Sequence, residues 1–144
     1  MLKLCKVYYP LQFNSPAIYH HPKFEDDLKG ILEKSGLRGD FIEKFRRKLY
    51  YIEKDMNKAT RFRWFEKLKE KDLYLIKFAM VKNIRIICTV TDAPIRKIVV
   101  LLCAFEEKNN NKGKDSYSKY ISIALDRQRE IKEGFILEGR MEYE

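Results

Sequence analysis

Apolar residues along this chain change their spacing several times, and each change predicts an element. Residues 2 to 9 mix Leu2, Leu4, Val7, Tyr8 and Tyr9 with Lys3 and Lys6 and stop at Pro10, which predicts an opening strand. Asn14, Ser15, Pro16 and Pro22 predict a loop. Phe24, Leu28, Ile31 and Leu32 then recur at helical intervals until Gly36, a residue suited to a left-handed helix stop. Asp40 is a candidate N-cap, with Glu43 following as in a capping box. Ile42, Phe45, Leu49, Ile52 and Met56 continue the apolar stripe of a second helix whose polar side carries Lys44, Arg46, Arg47 and Lys48. The short connection folds the pair into an antiparallel hairpin over about residues 23–57.

A bridging segment with Arg61, Arg63, Trp64, Phe65 and Leu68 ends at Lys71 and Asp72, after which the period becomes that of strands. Tyr74, Ile76, Phe78 and Met80 share one face of the first strand and Leu75, Lys77 and Ala79 the other. In the second, Ile84, Ile86, Cys88 and Val90 oppose Arg85, Ile87, Thr89 and Thr91. A turn over residues 81–83 would set Met80 against Ile84, keep both apolar sets on one side, and leave Lys77 and Arg85 together on an open face. Asp92-Ala93-Pro94 leads into Ile98 to Phe105, an apolar run that predicts a strand covered on both faces and completes a sheet over about residues 73–105. Residues 106 to 116 predict a polar loop. Tyr117, Tyr120, Ile121, Ala124, Gln128 and Ile131 then mark the inner face of a C-terminal helix over about residues 116–133. The expected fold is α+β, one domain spanning residues 1–144 in the order β-α-α-β-β-β-α.

Composition narrows the partners. Thirty Lys and Arg against 21 Asp and Glu leave a net charge of +9, a bias that suits polyanions, although solubility alone also accounts for such a charge. Residues 61 to 105 hold ten of the basic residues against four acidic ones. Cys5, Cys88 and Cys103 form no C-x-x-C pair and read as reduced thiols of a cytoplasmic protein. His20 and His21 read as solvated loop residues, so neither a metal nor a cofactor is expected. No apolar stretch reaches the length of a membrane span, and no phosphate-cradling Gly loop, dinucleotide fingerprint, H-E-x-x-H or Ser-His-Asp set occurs.

Four pieces in order carry a family resemblance: Leu73-Tyr74-Leu75-Ile76-Lys77, Asn83-Ile84-Arg85-Ile86, Ile98 to Phe105 followed by Lys108, and Ala124 with Arg127. The chain resembles the RelE/ParE superfamily of bacterial toxins, in the branch of HigB-like, phage-derived type II toxins. The resemblance implies a RelE-like fold, a helical hairpin on a small, mainly antiparallel sheet with a C-terminal helix. It implies a toxin that cleaves mRNA, often in the ribosomal A site, and is held inactive by a cognate antitoxin, here expected to be a helix-turn-helix protein. The chemistry needs no metal: the RNA 2′-hydroxyl attacks the adjacent phosphate, and the protein orients the backbone, bears the growing charge and moves protons. By position Lys77, Arg85 and Lys108 match the family's basic residues, and Tyr120 completes the candidate catalytic set. Arg47, Lys48, Arg61, Arg63, Lys112, Lys114 and Tyr117 are the candidate RNA contacts.

The chain also departs from the family pattern. Leu75 stands where many relatives have Glu, Lys77 where they have Arg, and Glu106-Glu107 where they tend to be basic. Carboxylates beside a phosphate site repel it, unless they point away or one takes the proton. A Lys and an Arg alternating out of a half-buried strand also fit an ordinary wet face, and Tyr117 and Tyr120 fit a helix core. The rival function is a binding protein on the same fold, either a ParE-like inhibitor of DNA gyrase or a cleavage-inactive interaction module.

Overall fold

The computed structural model describes residues 1–36, 38–79, 83–107 and 113–139. The elements in chain order are β1 (Leu2–Leu4), β2 (Ile18–His20), α1 (Phe24–Ser35), α2 (Arg38–Lys54), α3 (Met56–Ala59), β3 (Phe65–Lys67), β4 (Leu73–Phe78), β5 (Asn83–Asp92), β6 (Lys97–Glu107), α4 (Gly113–Lys132) and β7 (Phe135–Leu137). The class is α+β with a mostly antiparallel five-stranded sheet in the order β2-β6-β5-β4-β3; only β2 pairs in parallel, with β6. A separate two-stranded parallel sheet joins β1 to β7.

Alternation along β4 and β5 decides what covers each face. Ile76, Phe78, Ile84, Ile86 and Cys88 point to one side, where they meet Phe24, Leu28 and Leu32 of α1 and Phe41, Phe45, Leu49 and Ile52 of α2. Phe41 and Phe78 rings lie 4.6 Å apart and Phe41 and Phe45 5.2 Å, a cluster that fixes α2 on β4. Leu73, Leu75, Ile87, Val100 and Leu102 point to the other side, where Ala124 and Ile131 of α4 cover them. The sheet therefore has helices on both faces. Lys77 and Arg85 share a face as expected, but α4 covers much of it, because the inner face of that helix needs an apolar sheet surface.

β6 carries an irregularity in its pairing with β5. Ile87 pairs with Cys103 and Cys88 with Leu101, so Leu102 has no partner in the ladder. Its carbonyl accepts a hydrogen bond of 2.7 Å from the Arg127 guanidinium, which also pairs with Asp27 of α1 at 2.7 Å. Arg127, part of the family-like pattern, thus ties α4 to α1 around the sheet. Gln128 is buried and satisfied: its amide donates to the Lys71 carbonyl and to Thr89 Oγ1 at 3.0 and 3.1 Å.

Several expectations are corrected. The opening strand is only Leu2–Leu4 and lies outside the main sheet, and the expected loop before Pro22 holds β2, buried at the β6 edge. The stop at Gly36 is present, with φ +70°. α2 begins at Arg38, which makes Asp40 a first-turn residue, and Phe41 rather than Ile42 is fully buried. Met56 belongs to α3, because Asp55 is extended and caps a new turn through Lys58 N. The expected bridging segment contains β3, and the tail contains β7. Phe78 rather than Met80 faces Ile84, and Asn83, expected in the turn, is the first residue of β5; residues 80–82 lie outside the described residues. Glu106 and Glu107 continue β6, and α4 begins at Gly113, while residues 108–112 lie outside the description. His20 and His21 are buried, since β2 places them under the sheet edge. His21 Nδ1 accepts from Lys23 N at 3.1 Å and Nε2 meets Glu130 Oε1 at 2.9 Å.

Candidate functional site

β4 and β5 bring Lys77 directly opposite Arg85. Two like charges in register repel, and the neighbouring strands answer with carboxylates. Glu66 of β3 lies 2.7 Å from Lys77 Nζ, and Glu107 of β6 lies 2.6 Å from Arg85 Nη2. The result is a row across four strands reading carboxylate, ammonium, guanidinium, carboxylate. Its two halves differ in depth. The Lys77 and Glu66 side chains are 33% and 51% exposed, whereas those of Arg85 and Glu107 are 11% and 24% exposed.

Tyr117 of α4 closes the row from above. Its ring meets Phe105 edge-on at 5.4 Å, and burial raises its hydroxyl pKa, with the adjacent Arg85 guanidinium pulling the other way. Lys77, Tyr117, Glu66, Lys69 and Glu70 line a cleft of about 420 Å³; Arg85 does not line it. Arg85 Nε is buried with no hydrogen-bond partner. Arg85 is therefore the inner, fixed half of the pair and Lys77 the half that a ligand reaches.

Lys48 occupies a different place from the wet helix face expected for it. Its ammonium donates to the Lys77 carbonyl at 2.8 Å and lies 5.2 Å from the Trp64 ring centroid and 4.9 Å from that of Phe78. Desolvation first, and then Lys44, Arg47 and Arg85, lower its pKa to about 8. Arg47, Arg61 and Arg63 are exposed. Tyr120 lies flat against Phe105, the cross-strand partner of Arg85, at 4.5 Å. Lys108 and Lys112 fall outside the described residues, and Lys114 lies in the first turn of α4.

The structure thus joins Lys77, Arg85 and Tyr117 and adds Glu66, Lys69 and Glu70, which the sequence reading passed over. The available signal was the alternating run Glu66-Lys67-Leu68-Lys69-Glu70-Lys71, but its strand is three residues long. A larger cavity, about 620 Å³, opens at the opposite end of β5 beside Tyr74, Thr89, Asp92, Lys97 and Gln128, and contains none of the expected site residues. Among the described residues no three His, Cys, Asp or Glu side chains gather as metal ligands, and no helix is long and apolar enough to cross a membrane. Cys88 and Cys103 are buried, and burial raises both thiol pKa values. No protein-family model, curated protein or solved structure matches the chain.

Proposed function

We propose that the protein is a cytoplasmic toxin of a type II toxin–antitoxin pair with a RelE-like fold, acting as a metal-independent endoribonuclease on mRNA. The observation that carries this reading is the cross-strand pair of Lys77 and Arg85, with Tyr117 against it at the mouth of a cleft that Lys69 and Glu70 also line. These groups suit in-line transfer to an internal 2′-oxygen. Lys77 binds the scissile phosphate and bears its growing charge. Glu66, the more exposed carboxylate, takes the 2′-hydroxyl proton as the 2′-oxygen bonds to phosphorus. The bond to the 5′-oxygen breaks, Tyr117 supplies the proton to that leaving oxygen, and the products carry a 2′,3′-cyclic phosphate and a 5′-hydroxyl. Arg85 is a positioning residue that holds Tyr117 and Glu107 in place. A helix-turn-helix antitoxin would silence the site by laying an acidic or apolar segment into the cleft.

The carboxylates favour a second reading. Glu66 and Glu107 already occupy both cations, as suits a cleavage-inactive interaction module or a gyrase inhibitor. Induction in cells with mapping of mRNA ends, beside a supercoiling assay, separates the two. The nuclease reading expects new mRNA ends and cleavage of single-stranded RNA by the purified protein. Lys77→Ala should lower that cleavage by about two to three powers of ten, the scale of one oriented charge donor. Toxicity without RNA cleavage, or cleavage indifferent to Lys77→Ala, defeats it.

A further inference from the structure

Tyr50 and Tyr51 of α2, Phe62 after α3, and Trp64 just before β3 gather on the surface. Tyr50, Tyr51 and Phe62 are exposed, and Trp64 is half-buried. Phe62 and Trp64 stack at 5.4 Å with 11° between their planes, Tyr51 meets them at 5.5 and 6.5 Å, and Tyr50 stands edge-on to Tyr51 at 6.2 Å. The core is complete without the outer rings: Phe65 and Tyr74 stack beneath them at 5.4 Å. Exposed rings brought into contact with one another form a ready binding surface. Its rim is cationic, with Arg47, Lys54, Arg61 and Arg63 all exposed and Lys54 over the Tyr50 ring at 5.3 Å.

Flat rings bordered by cations match the two halves of a nucleotide, the base face and the phosphate. A duplex hides its base faces, so the match is to unpaired nucleotides. The platform also abuts the strand that carries Lys77. Lys77 N donates to the Trp64 carbonyl at 2.7 Å, and Lys48 lies over Trp64 while bonded to the Lys77 carbonyl. β3 is the edge of the sheet; Lys69 and Glu70 line the cleft on its far side, while the Lys67 ammonium lies over the Tyr74 ring at 6.0 Å on the platform's side.

We infer that Tyr51, Phe62 and Trp64 stack unpaired RNA bases next to the bound phosphate, so that a single strand passes round the β3 edge from this platform into the Lys77 cleft. This rests on the RNA-cleaving reading and adds to it a binding surface, outside the cleft, that selects unpaired nucleotides by base stacking. The cationic rim argues against an apolar protein segment as the occupant.

Trp64 is the only tryptophan, so its fluorescence reports this surface alone. The probe is a 2′-O-methyl oligouridylate of about twelve nucleotides, which offers bases and phosphates but no attacking hydroxyl. It should quench Trp64, and a duplex of equal length should bind at least about tenfold more weakly. Phe62→Ala should weaken the single strand by about five- to a hundredfold, the range found for one stacked base, and Phe62→Tyr should restore it. Tyr51→Ala gives the same readout should Phe62→Ala lose its circular-dichroism signature. Phe62→Ala binding within about twofold of the parent, or a duplex bound as tightly as the single strand, overturns the platform. Lys77-dependent cleavage would still stand in that case. Ring-dependent quenching without any cleavage would instead keep the platform and remove the nuclease. A probe that neither binds nor quenches defeats both and gives the surface to a protein partner.

Discussion

Removing Arg85 tests whether the inner half of the charge row is structural as well as functional. On an open face Arg85→Ala would change stability by only about half a kcal/mol, but the observed side chain is 11% exposed and bonded to a carboxylate that is 24% exposed. Three effects set the magnitude. Loss of the charge-assisted bond strands Glu107 and costs about 2 kcal/mol, below the figure for a fully buried pair because water still reaches the carboxylate. Loss of the aliphatic stem beneath Tyr117 costs about 1 kcal/mol. Removal of the unpartnered Nε returns about 1 kcal/mol of desolvation. The net is about 2 kcal/mol, or about 6 °C in Tm for a domain of this size. Urea unfolding followed by Trp64 fluorescence and circular dichroism measures it. Glu107→Ala and the double variant complete a cycle in which the pair should show a coupling of about 1–2 kcal/mol. A loss below about 0.5 kcal/mol for Arg85→Ala, or strictly additive single variants, would refute the buried-pair reasoning. Loss of activity in Arg85→Ala must accordingly be read beside its folded fraction, which makes Lys77→Ala the cleaner test of chemistry.

The buried His21 should make stability depend on pH. Burial lowers its pKa from 6.5 despite Glu130, so below about that pH the unfolded chain binds a proton that the folded chain refuses, and stability falls on acidification. Urea midpoints from about pH 7.5 to about pH 5.5 should decline in the parent and decline less in His21→Gln; equal slopes would contradict the assignment. Phe78→Ala removes the ring that joins α2 to β4 and should cost about 3–5 kcal/mol in the same unfolding assay, against well under 1 kcal/mol for a truncation on an exposed helix face such as Arg46→Ala.

Apolar periodicity made the larger elements legible. Phe24, Leu28 and Leu32 and then Phe45, Leu49 and Ile52 repeat at helical spacing and are buried, and the alternation of Ile76, Phe78, Ile84 and Ile86 marks one face correctly. The three-residue strands left no such trace. Ile18-Tyr19-His20 lies between prolines and becomes a strand because the β6 edge supplies its hydrogen bonds, and Phe65-Glu66-Lys67 depends in the same way on β4. Missing β2 exposed the histidines in the sequence reading, and missing β3 hid Glu66. The expected sharing of a face by Lys77 and Arg85 survived a two-residue register shift because side chains alternate with period two, so the error changed their spacing and not their side. What covers that side could not be read, since an amphipathic helix does not specify which sheet face receives it.

The unequal depth of the two ion pairs bears on how a site already filled with carboxylates can take a phosphate. Breaking the exposed Lys77–Glu66 pair costs on the order of 0–1 kcal/mol, because water solvates both ends as they part. Breaking the Arg85–Glu107 pair strands a largely buried carboxylate and costs several times more. On the proposed RNA-cleaving reading, an incoming phosphate would therefore exchange with Glu66 alone, leaving Arg85 and Glu107 as a neutral base on which Tyr117 and the Lys77 strand keep their positions. The displaced Glu66 would stay beside the reacting sugar, where such a reaction requires a proton acceptor. The same carboxylate that opposes phosphate binding at rest would then have a place in the proposed reaction once displaced, and the acidic residues at this site are compatible with cleavage so long as the outer pair is the one that opens.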